Sequence, residues 1–162
     1  MLEVFSSMNT ERLKVAYRTD IVALDSDGWI VLLVESIGGA AKQRALSNVT
    51  LYLKAANVVI PFTMLIDLED IQVFQWDGAN LSELITLKTA AVLSHYDPEF
   101  GSKPIFEPYL ITLVDVWLRD LAYHWKLGIP PASEQLAAIG LLQRLEGGTT
   151  QTEVEFGGHT LR

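Results

Sequence analysis

The sequence predicts a mixed β-sheet with helices packed on it, an α/β (α+β) fold. Three observations carry that expectation. The front half consists of short β-branched and apolar runs separated by turn clusters, of which Asp25-Ser26-Asp27-Gly28 and Asp77-Gly78 are the clearest. A helical pattern from Ala40 to Asn57, with Leu46, Val49 and Leu53 at spacings of three and four, interrupts those runs. The back half reads as helices, the longest from Ile105 to Trp125.

Taken in order, Arg12 to Leu24 mixes β-branched and polar residues and reads as a first strand. Asp27-Gly28 is a strong hairpin signal, because the tight turns that join antiparallel strands need positive φ. Trp29 to Val34 is the return strand, and its unbroken apolar run is that of a strand covered on both faces. Gly38-Gly39 breaks it before the helix. Val58 to Asp67 and Ile71 to Trp76 read as a second pair of strands, with Pro61 pointing to an edge or a bulge. Asn80 followed by Glu83 is a helix-start signature, which predicts a helix reaching about Leu93 and ended by Asp97-Pro98. On the long helix, Phe106, Tyr109, Leu110, Leu113, Trp117, Leu121 and Trp125 form one wide stripe. Ser133 is placed to cap a last helix that Gly147-Gly148 closes. In the tail, Thr150, Thr152, Val154 and Phe156 alternate with Gln151, Glu153 and Glu155, as in an edge strand or a frayed end.

The composition bounds what such a fold does. The chain has 162 residues and 49% apolar content, enough for one domain with a sizeable core. It divides into a β-rich part (12–77), a helical part (80–146) and a tail (147–162). Its 12 basic and 20 acidic residues give a net charge of −8, and each half of the chain holds 6 basic and 10 acidic groups. Without a basic arm or half, tight nucleic-acid binding driven by bulk charge is disfavoured. Cysteine is absent, which removes thiolate chemistry and disulfides. The start, Met1-Leu2-Glu3-Val4-Phe5, lacks a signal-peptide pattern, and the longest apolar runs fall far short of the ~20 residues that span a bilayer. A cytoplasmic protein without membrane association is the expectation.

One carboxylate pair stands out. With Asp27-Gly28 at the centre of a two-residue turn, paired residue numbers sum to 55, so Leu24 faces Val31, Val22 faces Leu33 and Asp20 faces Glu35. Directly opposed side chains have Cβ atoms about 4.5–5.5 Å apart. Like charges about 5 Å apart repel by roughly 3 kcal/mol at an effective dielectric near 20. A proton, a cationic side chain or a metal ion between them relieves that repulsion, and a hard divalent cation such as Mg²⁺ suits two carboxylates. The alternative is a register shifted by one, or Asp20 ending its strand and pointing to solvent.

At these residues the chain resembles a family. Thr19-Asp20-Ile21-Val22, the Gly turn and Val31-Leu32-Leu33-Val34-Glu35-Ser36-Ile37 look like the restriction-endonuclease-like, PD-(D/E)XK nuclease superfamily. Its signature is an Asp opening one strand and an acidic-x-Lys ending the next, followed by a helix and two strands. The region from Gln43 to Tyr52, then Pro61-Phe62-Thr63-Met64-Leu65, looks most like the amino-terminal nuclease modules of type I restriction subunits and their uncharacterised relatives. The resemblance covers about residues 12–77. It implies that Asp20, Glu35 and the carbonyl of Ser36 hold Mg²⁺ or Mn²⁺ for phosphodiester hydrolysis in DNA.

The chain departs from that pattern where the family has its lysine: two residues after Glu35 stands Ile37. Arg18, opposite Ile37 in the same register, or Lys42, at the start of the following helix, is the candidate replacement. Otherwise both are surface charges, and the protein is a catalytically degenerate nuclease fold acting as a protein-interaction or structural module. The superfamily's opening helix usually adds an acid; Glu3 or Glu11 is the only candidate here.

The remaining constellations read as structure. His95, His124 and His159 have no metal-ligand spacing, and His124 beside the apolar stripe reads as a hydrogen-bonded structural histidine. Asp67, Glu69 and Asp70 read as a solvated turn. The aromatics of the back half lack the basic neighbours that base stacking needs. The long helix also has Ile105, Val114, Leu118 and Ala122 off its main stripe. It therefore asks for burial on two sides, by the last helix or by a homodimer.

Overall fold

The computed structural model describes residues 17–38, 41–56 and 59–156. Six strands form one mixed sheet: β1 (Tyr17–Leu24), β2 (Ile30–Ser36), β3 (Phe62–Ile66), β4 (Asp70–Trp76), β5 (Leu81–Lys88) and β6 (Thr149–Phe156), in the spatial order β5-β4-β3-β2-β1-β6. All neighbours are antiparallel except β2 and β3. A parallel pair needs a crossover, and the helix α1 (Lys42–Ala55) provides it. Among the described residues there are five α-helices: α1, α2 (Thr89–Leu93), α3 (Glu107–Tyr123), α4 (Ser133–Ala138) and α5 (Leu141–Leu145). The architecture is α+β.

Each face of the sheet has its own cover. On one side Val49 and Leu53 of α1 pack on Val22, Leu33, Ile60 and Trp76. On the other, Leu110, Leu113, Trp117, Leu118 and Leu121 of α3, with Leu136, Leu141 and Leu145, form the large cluster with Ile21, Val34, Met64 and Val73. Trp117, Leu118 and Leu121 are completely buried. The two-sided burial that α3 asks for is thus met inside one chain, by the sheet and by α4 and α5. No helix among the described residues is long and apolar enough to cross a membrane.

The first hairpin reaches the expected register by another route. Gly28 N donates to Asp25 O at 3.0 Å and Asp25 N to Trp29 O at 2.9 Å, so the loop is Ser26-Asp27-Gly28, with Gly28 at φ 88°. A three-residue loop shifts the pairing by one, and Leu24 pairs with Ile30, not with Val31. A bulge between Ala23 and Leu24 shifts it back, so Ala23 pairs with Leu32 and Val22 with Leu33. Asp25 Oδ1 holds the loop by accepting from Asp27 N (2.9 Å) and Trp29 N (3.0 Å). Asp25→Ala removes both bonds and is expected to cost about 1 kcal/mol in urea unfolding. No change in the denaturation midpoint would show that the loop holds without them.

Other expectations are corrected. The residues read as a helix from Asn80 to Leu93 form β5 up to Lys88, and only Thr89–Leu93 is helical. Asn80 is not a helix cap: its N–H, with that of Ala79, donates to Asp77 Oδ1 at 2.7 Å in the β4–β5 hairpin turn. Leu81, Leu84, Ile85 and Leu87 fit a helical face as well as a strand, and pairing with β4 decides between them. Pro61 marks neither an edge nor a bulge; it precedes β3, an interior strand, and its carbonyl accepts from Trp76 N at 2.8 Å. Ser133 does not cap α4, since its hydroxyl donates to Pro130 O at 2.6 Å, and Gly140 at φ 84° splits the last helix in two. The tail is an edge strand, but its alternation does not hold. Thr150 bonds α3 on one side of the sheet, while Val154 and Phe156 join the α1 side, and Glu153 between them has φ 53°.

Candidate functional site

The sequence-predicted site lies where β1 and β2 part. Their ladder runs up to Ile21–Val34 and stops one pair short of Asp20 and Glu35. On the other flank of β1 the register passes from Ile21–Thr152 to Thr19–Val154, omitting Asp20 and Glu153. Side chains replace the missing ladder bonds: Thr19 Oγ1 donates to Val34 O at 2.9 Å, and Ser36 N donates to Asp20 Oδ2 at 2.7 Å. Asp20 and Glu35 are thus neighbours across a fork and not a laddered pair.

The two carboxylates have different surroundings. Glu35 accepts a hydrogen bond from the Tyr17 hydroxyl. The Tyr17 ring stacks on Tyr52 of α1 (centroids 4.4 Å, 11° between planes), and Phe156 of β6 lies 5.2 Å from Tyr52. Burial in this aromatic setting pushes Glu35 up to about 7; the bonds from Tyr17 and Thr19 pull the other way, and the charge of Asp20 adds to the rise. The same burial, with Glu35 beside it, pushes the Tyr17 hydroxyl far above its ordinary range, so it stays a donor.

Asp20 instead borders a recess of about 590 Å³ on the α3 side, together with Glu107, Asp115, Arg119, Thr152 and Glu153. Ser36, between the two carboxylates, donates its hydroxyl to Glu107 in the first turn of α3. Arg119 in the recess is engaged already, with Nε 3.2 Å from Asp115 Oδ2 and 3.2 Å from Thr150 Oγ1.

The cationic candidates make no ion pair at this fork. Arg18 is exposed and pairs in register with Glu155 of β6. Lys42, exposed at the start of α1, adds to the lowering of Glu83, which the Thr86 hydroxyl chiefly causes. Neither forms an ion pair with Asp20 or Glu35. Ile37 is 8% exposed and packs with Leu65 and Phe74 beneath Ala45 and Leu46 of α1. Among the described residues no group of three His, Asp or Glu gathers as cation ligands. Glu3, Glu11 and His159 lie outside the described residues.

Tyr17, Tyr52 and Phe156 are the site residues that sequence reasoning missed. Three aromatics from β1, α1 and β6 stack together and one of them, Tyr17, bonds the carboxylate; no spacing announces that. Glu107 carried a faint signal, an acid in the first turn of the longest helix. His124, read as a hydrogen-bonded structural histidine, instead ends α3 in the left-handed conformation (φ 52°), exposed, with Nε2 4.0 Å from Glu146. Asp67 behaves as the turn reading expects, its Oδ1 accepting from Glu69 N (2.8 Å) and Asp70 N (2.7 Å). No protein-family model matches this chain, and no curated protein or solved structure matches it.

Proposed function

We propose that this chain is a non-catalytic protein-interaction module carried on a nuclease-like sheet. The observation that carries this reading is the burial of Ile37. A nuclease of the type the sequence resembles needs a cation two residues beyond its glutamate; here that position is an apolar side chain closed under α1. Neither Arg18 nor Lys42 forms an ion pair with Asp20 or Glu35, and Glu35 already accepts from Tyr17. The residues present do not fit a catalytic Mg²⁺ or Mn²⁺ centre. Support for protein contacts comes from the helical half. From the last residue of α3 onward, Tyr123, Trp125, Leu127 and Ile129 are all exposed, Leu127 by 95% and Ile129 by 79%, and apolar groups gathered at a surface mark contact sites.

One observation favours a second reading, a metal-dependent endonuclease that binds DNA weakly. Asp20 is close enough to Glu35 to raise it, and a divalent cation held by both, with the Ser36 carbonyl, would relieve that repulsion. Plasmid nicking in Mg²⁺ and in Mn²⁺ separates the two. The expected result is that wild type, Asp20→Ala and Glu35→Ala all leave supercoiled plasmid at the same background. Cleavage by wild type that both substitutions abolish would replace the first reading by the second.

A further inference from the structure

The chain's charge is segregated in a way its even halves conceal. Between Glu35 and Asp67 there is no Asp or Glu, and the only charges are Lys42, Arg44 and Lys54, all on α1. Because α1 carries 3 of the 12 basic residues and none of the 20 acids, the rest of the chain stands at −11 (9 against 20). Lys42, at the start of α1, is near enough to Glu83 of β5 for its charge to add to the lowering there.

The other two share the outward face. Arg44, Ser47, Asn48, Leu51 and Lys54 are exposed and recur at spacings of three and four, which aligns them along one side of a helix. Leu51 lies between the two cations and is 68% exposed. The opposite side of α1, through Val49 and Leu53, is the side spent on the core. None of Lys42, Arg44 and Lys54 makes an ion pair with a described residue, whereas Lys88, Lys103 and Arg119 do.

We propose that the outward face of α1 is a docking surface for an acidic, leucine-bearing segment of a partner protein. This rests on the interaction reading above and adds to it a surface and a partner chemistry. The exposed large side chains after α3, Trp125, Leu127 and Ile129, are apolar and select no particular partner, whereas α1 offers an apolar anchor flanked by two cations. Carboxylates of the partner meet Arg44 and Lys54 while its leucine covers Leu51, so charge complementarity sets orientation and apolar burial adds affinity. A nucleic acid fits this face poorly. Its phosphates gain nothing from Leu51, and an extended polyanion that runs past α1 meets a body of net charge −11.

Fluorescence anisotropy on the full chain tests the proposal. The probes are a labelled helix-forming peptide with glutamates and leucines on one face, the same peptide with glutamines for the glutamates, and a labelled DNA duplex. The glutamate peptide is expected to bind wild type, and to bind about tenfold more weakly to Arg44→Glu/Lys54→Glu and to Leu51→Ser. Raised salt should weaken binding, as should the glutamine peptide. Arg144→Glu, an exposed charge reversal on α5, should bind as wild type does. All sites are exposed, so circular dichroism should show intact folding in every variant. No binding of the glutamate peptide, equal binding by the α1 variants, or tighter binding of the duplex through the same residues would each overturn the proposal. Metal-dependent nicking that needs Asp20 and Glu35 would instead sink the non-catalytic reading while leaving a positive peptide result in place. Absence of both nicking and peptide binding would sink this inference alone.

Discussion

Glu35→Gln is expected to stabilise the protein at pH 8 and to leave it nearly unchanged at pH 5. The folded-state value of Glu35, about 7, lies above its ordinary 4.5, so between these values the folded protein holds a proton that the unfolded chain has released. Stability therefore falls as pH rises through this window, and above it the ionised carboxylate is a standing penalty. At 1.36 kcal/mol per unit the penalty reaches on the order of 3 kcal/mol, an upper bound because the group is only partly buried. Glutamine keeps an acceptor for the Tyr17 hydroxyl and carries no charge, so the variant should lose the slope. Urea unfolding of both proteins from pH 5 to pH 8 measures it. A stability difference that stays constant across that range would show that Glu35 is not strained. Millimolar Mg²⁺ makes the same experiment bear on function. A cation held by Asp20 and Glu35 favours the ionised form and flattens the slope of wild type, whereas the interaction reading expects no effect of Mg²⁺.

The parts of the fold that local residues decide were legible in the sequence. The turn cluster at Asp25–Gly28, the amphipathic α1 and the long α3 all follow from spacing and turn chemistry, whereas the tail fitted an edge strand and a frayed end equally. What failed needed a partner distant in the chain. The stretch from Leu81 to Leu87 satisfies either period, and only the neighbouring β4 makes it a strand. The hairpin shows the limit most sharply. Its loop is one residue longer than a two-residue turn, which would by itself place Val22 opposite the wrong residue, and the bulge at Ala23/Leu24 undoes that shift. The right register emerged from two irregularities that cancel, neither of which the residue types reveal.

The site was legible in its carboxylates and illegible in their use. Asp20 and Glu35 are indeed close, yet the ladder parts before it reaches them, because Thr19 and Asp20 bond to the backbone of β2 in its place. The partners that set the chemistry of Glu35 come from β1, α1 and β6, three elements that meet only in the folded sheet. Ile37 was visible as a departure from the family pattern. That it lies under α1, packed with Leu65 and Phe74, was not.

Gly148→Ala is expected to destabilise the protein by about 3 kcal/mol, through the strand that completes this arrangement. A Cβ at Gly148 would stand 1.8 Å from Leu24 O and 2.9 Å from Leu24 C, both backbone atoms that cannot rotate away. Nor can the glycine itself retreat. Gly147 N donates to Ala122 O at 2.8 Å and Gly148 N to Leu145 O at 3.0 Å, so the segment is tied to the ends of α3 and α5. The strain falls on the first pairs of the β1–β6 ladder, Leu24–Thr149, Ala23–Thr150 and Val22–Gln151, and Thr150 carries the bonds to Asp115 and Arg119. Hydrogen exchange should show protection lost first at this end of β6, and urea unfolding should show the lower midpoint. Gly101→Ala, where a Cβ meets nothing within 4 Å, supplies the reference for a glycine that is free to change. If Gly148→Ala unfolds at the same urea concentration as Gly101→Ala, the close approach of β6 to β1 at Leu24 is not what holds the edge strand in place.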